Sequence, residues 1–434
     1  MNEPSMNKPT SPERAIDADE REFGAALNSF LSPSRPLQSE EFLRGRAHQL
    51  KGIERAMYAS GRHVLIHGLR GVGKSSLAQT AAYKLARGTD PIVVACDRTS
   101  SFQTIIREIF EEAVGASPML AEKVRGGGFS LNLPWLGLNG KAEVKERPVE
   151  TPLSVNDAVR LLQFLAAQLG EVPVFVVDEF DQLTSEQAQI DFTNLVKQIA
   201  DKHISAHFIF CGIGESVEAI MAAHGSADRY FHAVELTQLP WEARDEIITH
   251  SATSLGIEID RDTAIRIAMI SDGFPHYIHF IAEKLFWRVW EAKNGGRVTP
   301  DLFGLAMDDA ASAMDMKLRG PYEKATQKYG DDYAAILWAS ADGHQLKRRS
   351  ADIFVSYQRI MEGLGQQRLD RTKFNTRINA LKTSAHASIL TGTRSGWYEF
   401  SEKMIRGYVR LMAERHGVVL KSDHPVAKHP LADF

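Results

Sequence analysis

The chain has little that would tie it to an oxidising or membranous environment. Of its 434 residues only Cys96 and Cys211 are cysteines, each inside an apolar run. They read as small buried hydrophobes rather than as a disulfide or a metal-binding pair. No apolar stretch approaches the roughly 18 residues of a membrane span, and the polar, proline-bearing N-terminus has no secretory hydrophobic segment. A large excess of one charge is also missing, since 51 Lys and Arg stand against 55 Asp and Glu, a net charge of −4. The whole molecule is therefore no polycation built to coat nucleic acid. No separated Ser, His and Asp set and no Cys/His cluster stands above background. The expectation is a soluble, cytoplasmic chain without a membrane partner.

What charge there is lies unevenly. Residues 340–434 hold 16 basic and 9 acidic residues, a net +7, which leaves −11 for residues 1–339. At this length two or three domains are expected, with a basic C-terminal part and an acidic remainder.

The most informative stretch is His63 to Ser76. Val64, Leu65 and Ile66 have the length and branching of a short buried strand. They run into Gly68-Leu69-Arg70-Gly71-Val72-Gly73-Lys74-Ser75, followed by Ser76, which fits G-x-x-x-x-G-K-[ST] without a departure. Gly68, Gly71 and Gly73 let the backbone take positive φ and turn successive N–H groups onto a phosphate. The helix expected over 75–85 adds its positive end. Lys74 would reach the β and γ oxygens of ATP, and the Ser75 hydroxyl would hold Mg²⁺.

A second buried strand over 91–97 and a helix over 101–114 continue the alternation of a doubly wound parallel sheet. Gly126-Gly127-Gly128 and Asn139-Gly140 frame an inserted hairpin at about 124–147. Its Trp135 and Leu136 either cover the base of the insert or meet a partner. After a helix over 155–169, Val174 to Val177 end in Asp178 and Glu179. A central strand thereby delivers carboxylates to the phosphate loop: Asp178 for Mg²⁺ through water, and Glu179 to orient the water that attacks the γ-phosphate.

With these motifs in place a family resemblance emerges. Gly45-Arg46, opening a helix over 48–59 that leads into the phosphate-loop strand, resembles the N-terminal box of AAA+ ATPases, where this segment lies over the adenine. The resemblance extends over about 40–415 to the replication-initiator (origin-recognition-like) and STAND-like ATPases. It implies a P-loop NTPase core at 39–238, a helical lid at 239–316 and ATP contacts at Arg46, Pro275 and His276. In such proteins the strand matching 206–212 ends in a polar sensor; here Gly212-Ile213-Gly214 intervenes, and Glu215 and Ser216 are the nearest polar residues. Ser226 to Phe231 resembles a Ser-x-x-Arg-x-Phe box, with Arg229 the matching arginine, either a finger for a neighbouring subunit's γ-phosphate or a surface ion-pair partner. His276 stands where initiators carry a second arginine, and Gly273-Phe274-Pro275 is closer to the STAND pattern. The missing arginine argues against fast hydrolysis.

From 317 to 416 the pattern is three helices (333–339, 351–364, 370–383) and a hairpin (388–392, 396–400), the order of a winged helix. Phe374, Ile378 and Leu381 would face its core. Arg371, Lys373, Asn375, Arg377 and Lys382 on the third helix, with Arg394 at the wing tip, are the expected DNA contacts. Residues 1–38 are expected to be a mobile arm with a short helix near 20–30, and 417–434 a mobile tail. The functional expectation is an Mg²⁺-dependent ATPase acting as a DNA-binding switch, with an ATP-dependent homo-oligomer implied by the resemblance. The alternatives are a STAND-like signalling or antiviral-defence ATPase, or a helper ATPase recruiting a nuclease or transposase. In both, the winged helix contacts protein.

Overall fold

In a computed structural model of the chain the described residues are 14–32, 43–86, 91–125, 153–169, 172–213, 227–327, 331–394 and 396–421. They fall into two compact units, Pro36–Thr237 and a unit that joins Met1–Arg35 to Gln238–Phe434. Most of the expected inserted hairpin, including Trp135 and Leu136, lies outside the described residues. So do Glu215, Ser216 and the tail beyond 421.

The first helix, α1 (Glu20–Phe30), belongs to the second unit. In the first unit the order is α2 (Ala47–Met57), β1 (His63–Gly68), α3 (Lys74–Leu85), β2 (Ile92–Ala95), α4 (Phe102–Ala116), α5 (Pro118–Arg125) and α6 (Val155–Gln168). It continues with β3 (Val174–Asp178), α7 (Glu186–Asp201), β4 (His207–Gly212), α8 (Ala227–Tyr230) and β5 (Phe231–Leu236). The strands pair in parallel in the order β2-β3-β4-β1-β5. The expected doubly wound sheet is thus present. Its central strands are apolar on both faces because both are covered. Leu65, Phe175, Val177, Phe208 and Phe210 face a core shared with α4, α6 and α7. Helices α2 and α3 lie against the sheet through other contacts.

In the second unit four helices, α9 (Trp241–Leu255), α10 (Arg261–Ile270), α11 (Pro275–Ala292) and α12 (Pro300–Ala313), follow one another where the lid was expected. Helix α1 packs on them. Phe23 meets the Trp287 ring edge-on at 5.1 Å and stacks on Trp290 at 5.8 Å. The indole N–H of Trp290 donates to the Ala18 carbonyl at 3.0 Å, and the Ser32 N–H donates to His279 Nδ1 at 3.3 Å. Residues 14–32 are therefore not the mobile arm that their polar composition predicts. Phe23, Leu27 and Leu31, spaced by four, form a stripe that is fully covered.

The C-terminal residues form α13 (Met316–Thr326), α14 (Asp331–Ala341), β6 (Arg348–Arg349), α15 (Ser350–Gly363), α16 (Arg371–Ala380), β7 (Leu390–Arg394), β8 (Trp397–Phe400) and α17 (Ile405–Arg415). Asp370 caps α16 by accepting from the Lys373 N–H, and Phe374, Ile378 and Leu381 are buried as their spacing requires. The hairpin is the larger part of a three-stranded antiparallel sheet, β6-β8-β7. Strand β6 has two residues, too few to show a period in the sequence. The expected boundary at 316–317 does not separate two compact bodies. Helix α17 packs against α10 and α12 as well as α13 and α14, so both segments belong to one unit.

Candidate phosphate-binding site

The loop after β1 has the backbone its glycines predict. Gly71 and Gly73 take φ of 77° and 94°, the left-handed region that a Cβ disfavours. Gly68 has φ of 149°, and a Cβ there would lie 2.1 Å from the Leu236 carbonyl oxygen of β5. The sheet itself demands a glycine at that position. Gly73 is the N-cap of α3, which begins at Lys74 and carries Ser75 and Ser76 in its first turn. Val72 is fully buried and pins the loop, while Arg70 is exposed. Lys74 Nζ donates to the carbonyls of Gly68 and Leu69 at 3.1 and 3.0 Å, so the ammonium lies folded over the loop. Burial lowers the Lys74 pKa; Asp181, Cys211 and Asp178 pull it the other way.

Arg46 is engaged by main chain. It is 3 % exposed, and its guanidinium donates to the Val72 carbonyl at 3.1 Å and the Thr237 carbonyl at 2.6 Å. Burial lowers its pKa to about 10. The side chain ties the phosphate loop to the residue that follows β5. Both bonds run to main chain.

Asp178 ends β3, two strands from β1 and at the same carboxyl edge of the sheet. Its backbone carbonyl accepts from the Cys96 N–H at 2.9 Å, and its Oδ1 accepts from the Glu179 N–H at 2.9 Å. Glu179 has φ of 50°, a left-handed conformation that costs energy in a residue with a Cβ and recurs at functional sites. The turn exposes Glu179 while Phe180 is buried against Phe192 and Phe210. Asp181 is a third carboxylate in this turn, beyond the Asp178 and Glu179 expected from the sequence. It heads the charges acting on Lys74, and the signal was its place three residues after Asp178 in the same acidic turn.

Among the described residues no group of three or more His, Cys, Asp or Glu could hold a metal ion. Mg²⁺ at a nucleotide needs no such cage, only one or two protein oxygens beside phosphates and water. Ser75 and Asp178 fit that requirement. Both cysteines are buried, as expected; burial raises the Cys96 thiol to about 12 and Cys211 well above its usual value.

Of the remaining expected residues, Arg229 shares the first unit with the loop, while Pro275, His276 and the expected DNA contacts belong to the second. Arg229 is exposed on α8. Pro275 is the first residue of α11 in the second unit, and His276 beside it stacks on Phe280 at 5.7 Å. Of the expected DNA contacts, Arg371 lies over the rings of Phe354 and Phe374 and donates to the Ser350 carbonyl and hydroxyl. Arg377 pairs with Asp332 at 3.1 Å over the Tyr333 ring, and Asn375 receives the Ser350 hydroxyl at 3.4 Å. These three hold α16 to its neighbours. Lys373, Lys382 and Arg394 are exposed.

A family model described as an AAA ATPase domain matches residues 43–208. No curated protein matches the chain. Solved structures that it resembles include the Walker-type ATPase of Pyrococcus abyssi, at 17 % identity and TM-score 0.49 over 87 % of this chain and 99 % of that one. Cdc6p from Pyrobaculum aerophilum is 16 % identical with TM-score 0.44 over 89 % and 98 %. The Aeropyrum pernix ORC1 protein, solved in complex with DNA, is 13 % identical with TM-score 0.43 over 86 % and 94 %. With its glycine loop, its Asp178-Glu179 strand end and its five-stranded parallel sheet, this chain carries an AAA ATPase domain over residues 43–208.

Proposed function

We propose that the chain hydrolyses ATP with Mg²⁺ and uses the nucleotide to switch a DNA-binding C-terminal region. The carrying observation is the end of β3, where Asp178 is fixed by its neighbours and Glu179 is turned out by a left-handed backbone. The loop N–H groups and the start of α3 bind phosphates, Lys74 gives up its loop carbonyls for phosphate oxygens, and Ser75 and Asp178 hold the cation. Mg²⁺ supplies charge neutralisation at the transferred phosphoryl group. Glu179 accepts a proton from the attacking water. Exposed Arg229 is available to a second subunit, which fits assembly into an ATP-dependent homo-oligomer. Two buried thiols suit a reducing cytoplasm.

The output is the second unit. The loop before α11 is joined to α17 by Asp272, which accepts from Arg406 and forms an ion pair with Arg410. Lid and C-terminal region therefore respond together. A second reading, a STAND-like or helper ATPase whose C-terminal region meets a protein, draws on the engagement of Arg371 and Arg377 within the fold.

The test is Glu179→Gln. It should retain Mg²⁺-ATP binding, lose turnover by 10²-fold or more, and elute larger with ATP than without. Unchanged hydrolysis would refute the water-activating role.

A further inference from the structure

The +7 of the C-terminal region does not lie where the helix pattern put it. Arg406 and Arg410 are buried against Asp272; Arg359 pairs with Asp342, Arg415 with Asp308 and Arg368 with Glu362. Arg348 points inward to the Ala339 carbonyl and the Ser356 hydroxyl. On α16 the outward residues Thr372, Thr376 and Asn379 are uncharged, leaving Lys373 as the exposed cation, and it sits 3.6 Å from Asp370.

The sheet differs. Its register pairs Trp397 of β8 with Arg349 of β6 on one side and with Arg394 of β7 on the other. The three form one row across the outer face. Both guanidinium carbons lie over the Trp397 ring, at 4.9 Å for Arg349 and 4.4 Å for Arg394. Both arginines are exposed, and among the described residues neither has a carboxylate partner. Two residues along β8, Glu399 is shared by Lys347 and Lys403, at 3.8 and 3.0 Å. Stacking uses the flat faces of a guanidinium and leaves its N–H edge for an oxyanion. The indole thus holds two arginines ready for phosphates while limiting the entropy lost on binding.

We infer that the row Arg349–Trp397–Arg394 is the surface that grips the phosphate backbone of duplex DNA, and that the outward face of α16 is not. This rests on the proposed DNA-binding reading and assigns its contact surface. Binding of this kind positions without reading bases, so it depends on salt rather than on sequence.

The experiment is fluorescence anisotropy of the full chain with a labelled duplex of about 30 base pairs, titrated over a series of salt concentrations. Three proteins are compared: the native chain, Arg349→Ala/Arg394→Ala and Lys373→Ala, which removes the exposed cation of α16. An unchanged circular dichroism spectrum and urea unfolding midpoint check that each variant is folded. The arginine pair should lower the slope of log affinity against log salt by about 2, roughly 0.9 per lost phosphate contact. Lys373→Ala should leave it unchanged, and a slope lowered by about 0.9 in that variant would return the contact to α16. An unaltered slope in the arginine variant, with native binding intact, overturns the placement alone. Absence of duplex binding by the native chain overturns the DNA reading, and this surface with it.

Discussion

Arg406 Nη1 donates to both carboxylate oxygens of Asp272 at 2.6 Å, and the two side chains are 1 % and 2 % exposed. Arg410 adds a third contact at 3.1 Å, and both arginines also donate to the Gly343 carbonyl. Nearby, the Tyr277 hydroxyl donates to the Met404 carbonyl at 2.6 Å. Removing Asp272 would strand two buried cations, which costs more than the pair contributes when intact. Asp272→Asn should therefore lose about 3–5 kcal/mol of stability, seen as a lower urea midpoint. A loss within 1 kcal/mol would show that water reaches these arginines.

Gly68→Ala tests the fit between loop and sheet. Its Cβ would lie 2.1 Å from the Leu236 oxygen, and main chain cannot retreat as a side chain can. The variant should fold with a displaced loop and bind ATP at least tenfold more weakly by calorimetry, a loss of about 1.4 kcal/mol or more. Native affinity would mean that β5 yields without disturbing the cradle.

His63 predicts a pH effect. It is fully buried, its Nδ1 accepts from the Phe208 N–H at 3.0 Å, and among the described residues its Nε2 has no hydrogen-bond partner. Burial, then the nearby His207, lowers its pKa from 6.5 to about 3. The folded state keeps the ring neutral while the unfolded chain protonates it below about 6.5. Stability is thus intact above that pH and falls as pH drops toward the folded value, with a slope of up to about 1.4 kcal/mol per unit. His63→Asn, whose Oδ1 can replace the Nδ1 acceptor, should flatten the slope between pH 6 and 4 by up to one proton. An unchanged slope would place the acid sensitivity elsewhere.

Local, main-chain-driven features were legible in the sequence. The glycine spacing of 68, 71 and 73, the strand ending at Asp178 and the Asp370 cap each follow from one short stretch and its backbone needs. Features that depend on where a long side chain ends were not legible. Arg46 has the right position for a nucleotide contact, yet its guanidinium turns to the Val72 and Thr237 carbonyls. Arg371 and Arg377 fall at the expected register of α16 but fold back onto Phe354 and Tyr333. A charge count adds such arginines to a surface that burial and pairing have already taken from them. The stripe of Phe23, Leu27 and Leu31 was hidden for a different reason, since three apolar residues among prolines and charges do not raise the average of a window.

The central claim is that the nucleotide held by the Gly68–Ser75 loop alters the unit containing Asp272 and α17. Hydrogen exchange of the Glu179→Gln protein, compared between Mg²⁺-ATP and Mg²⁺-ADP, measures it directly. The account predicts altered protection in residues 271–277 and 404–412 together with the loop. Changes confined to residues 43–213, with the second unit exchanging identically in both nucleotides, would contradict it.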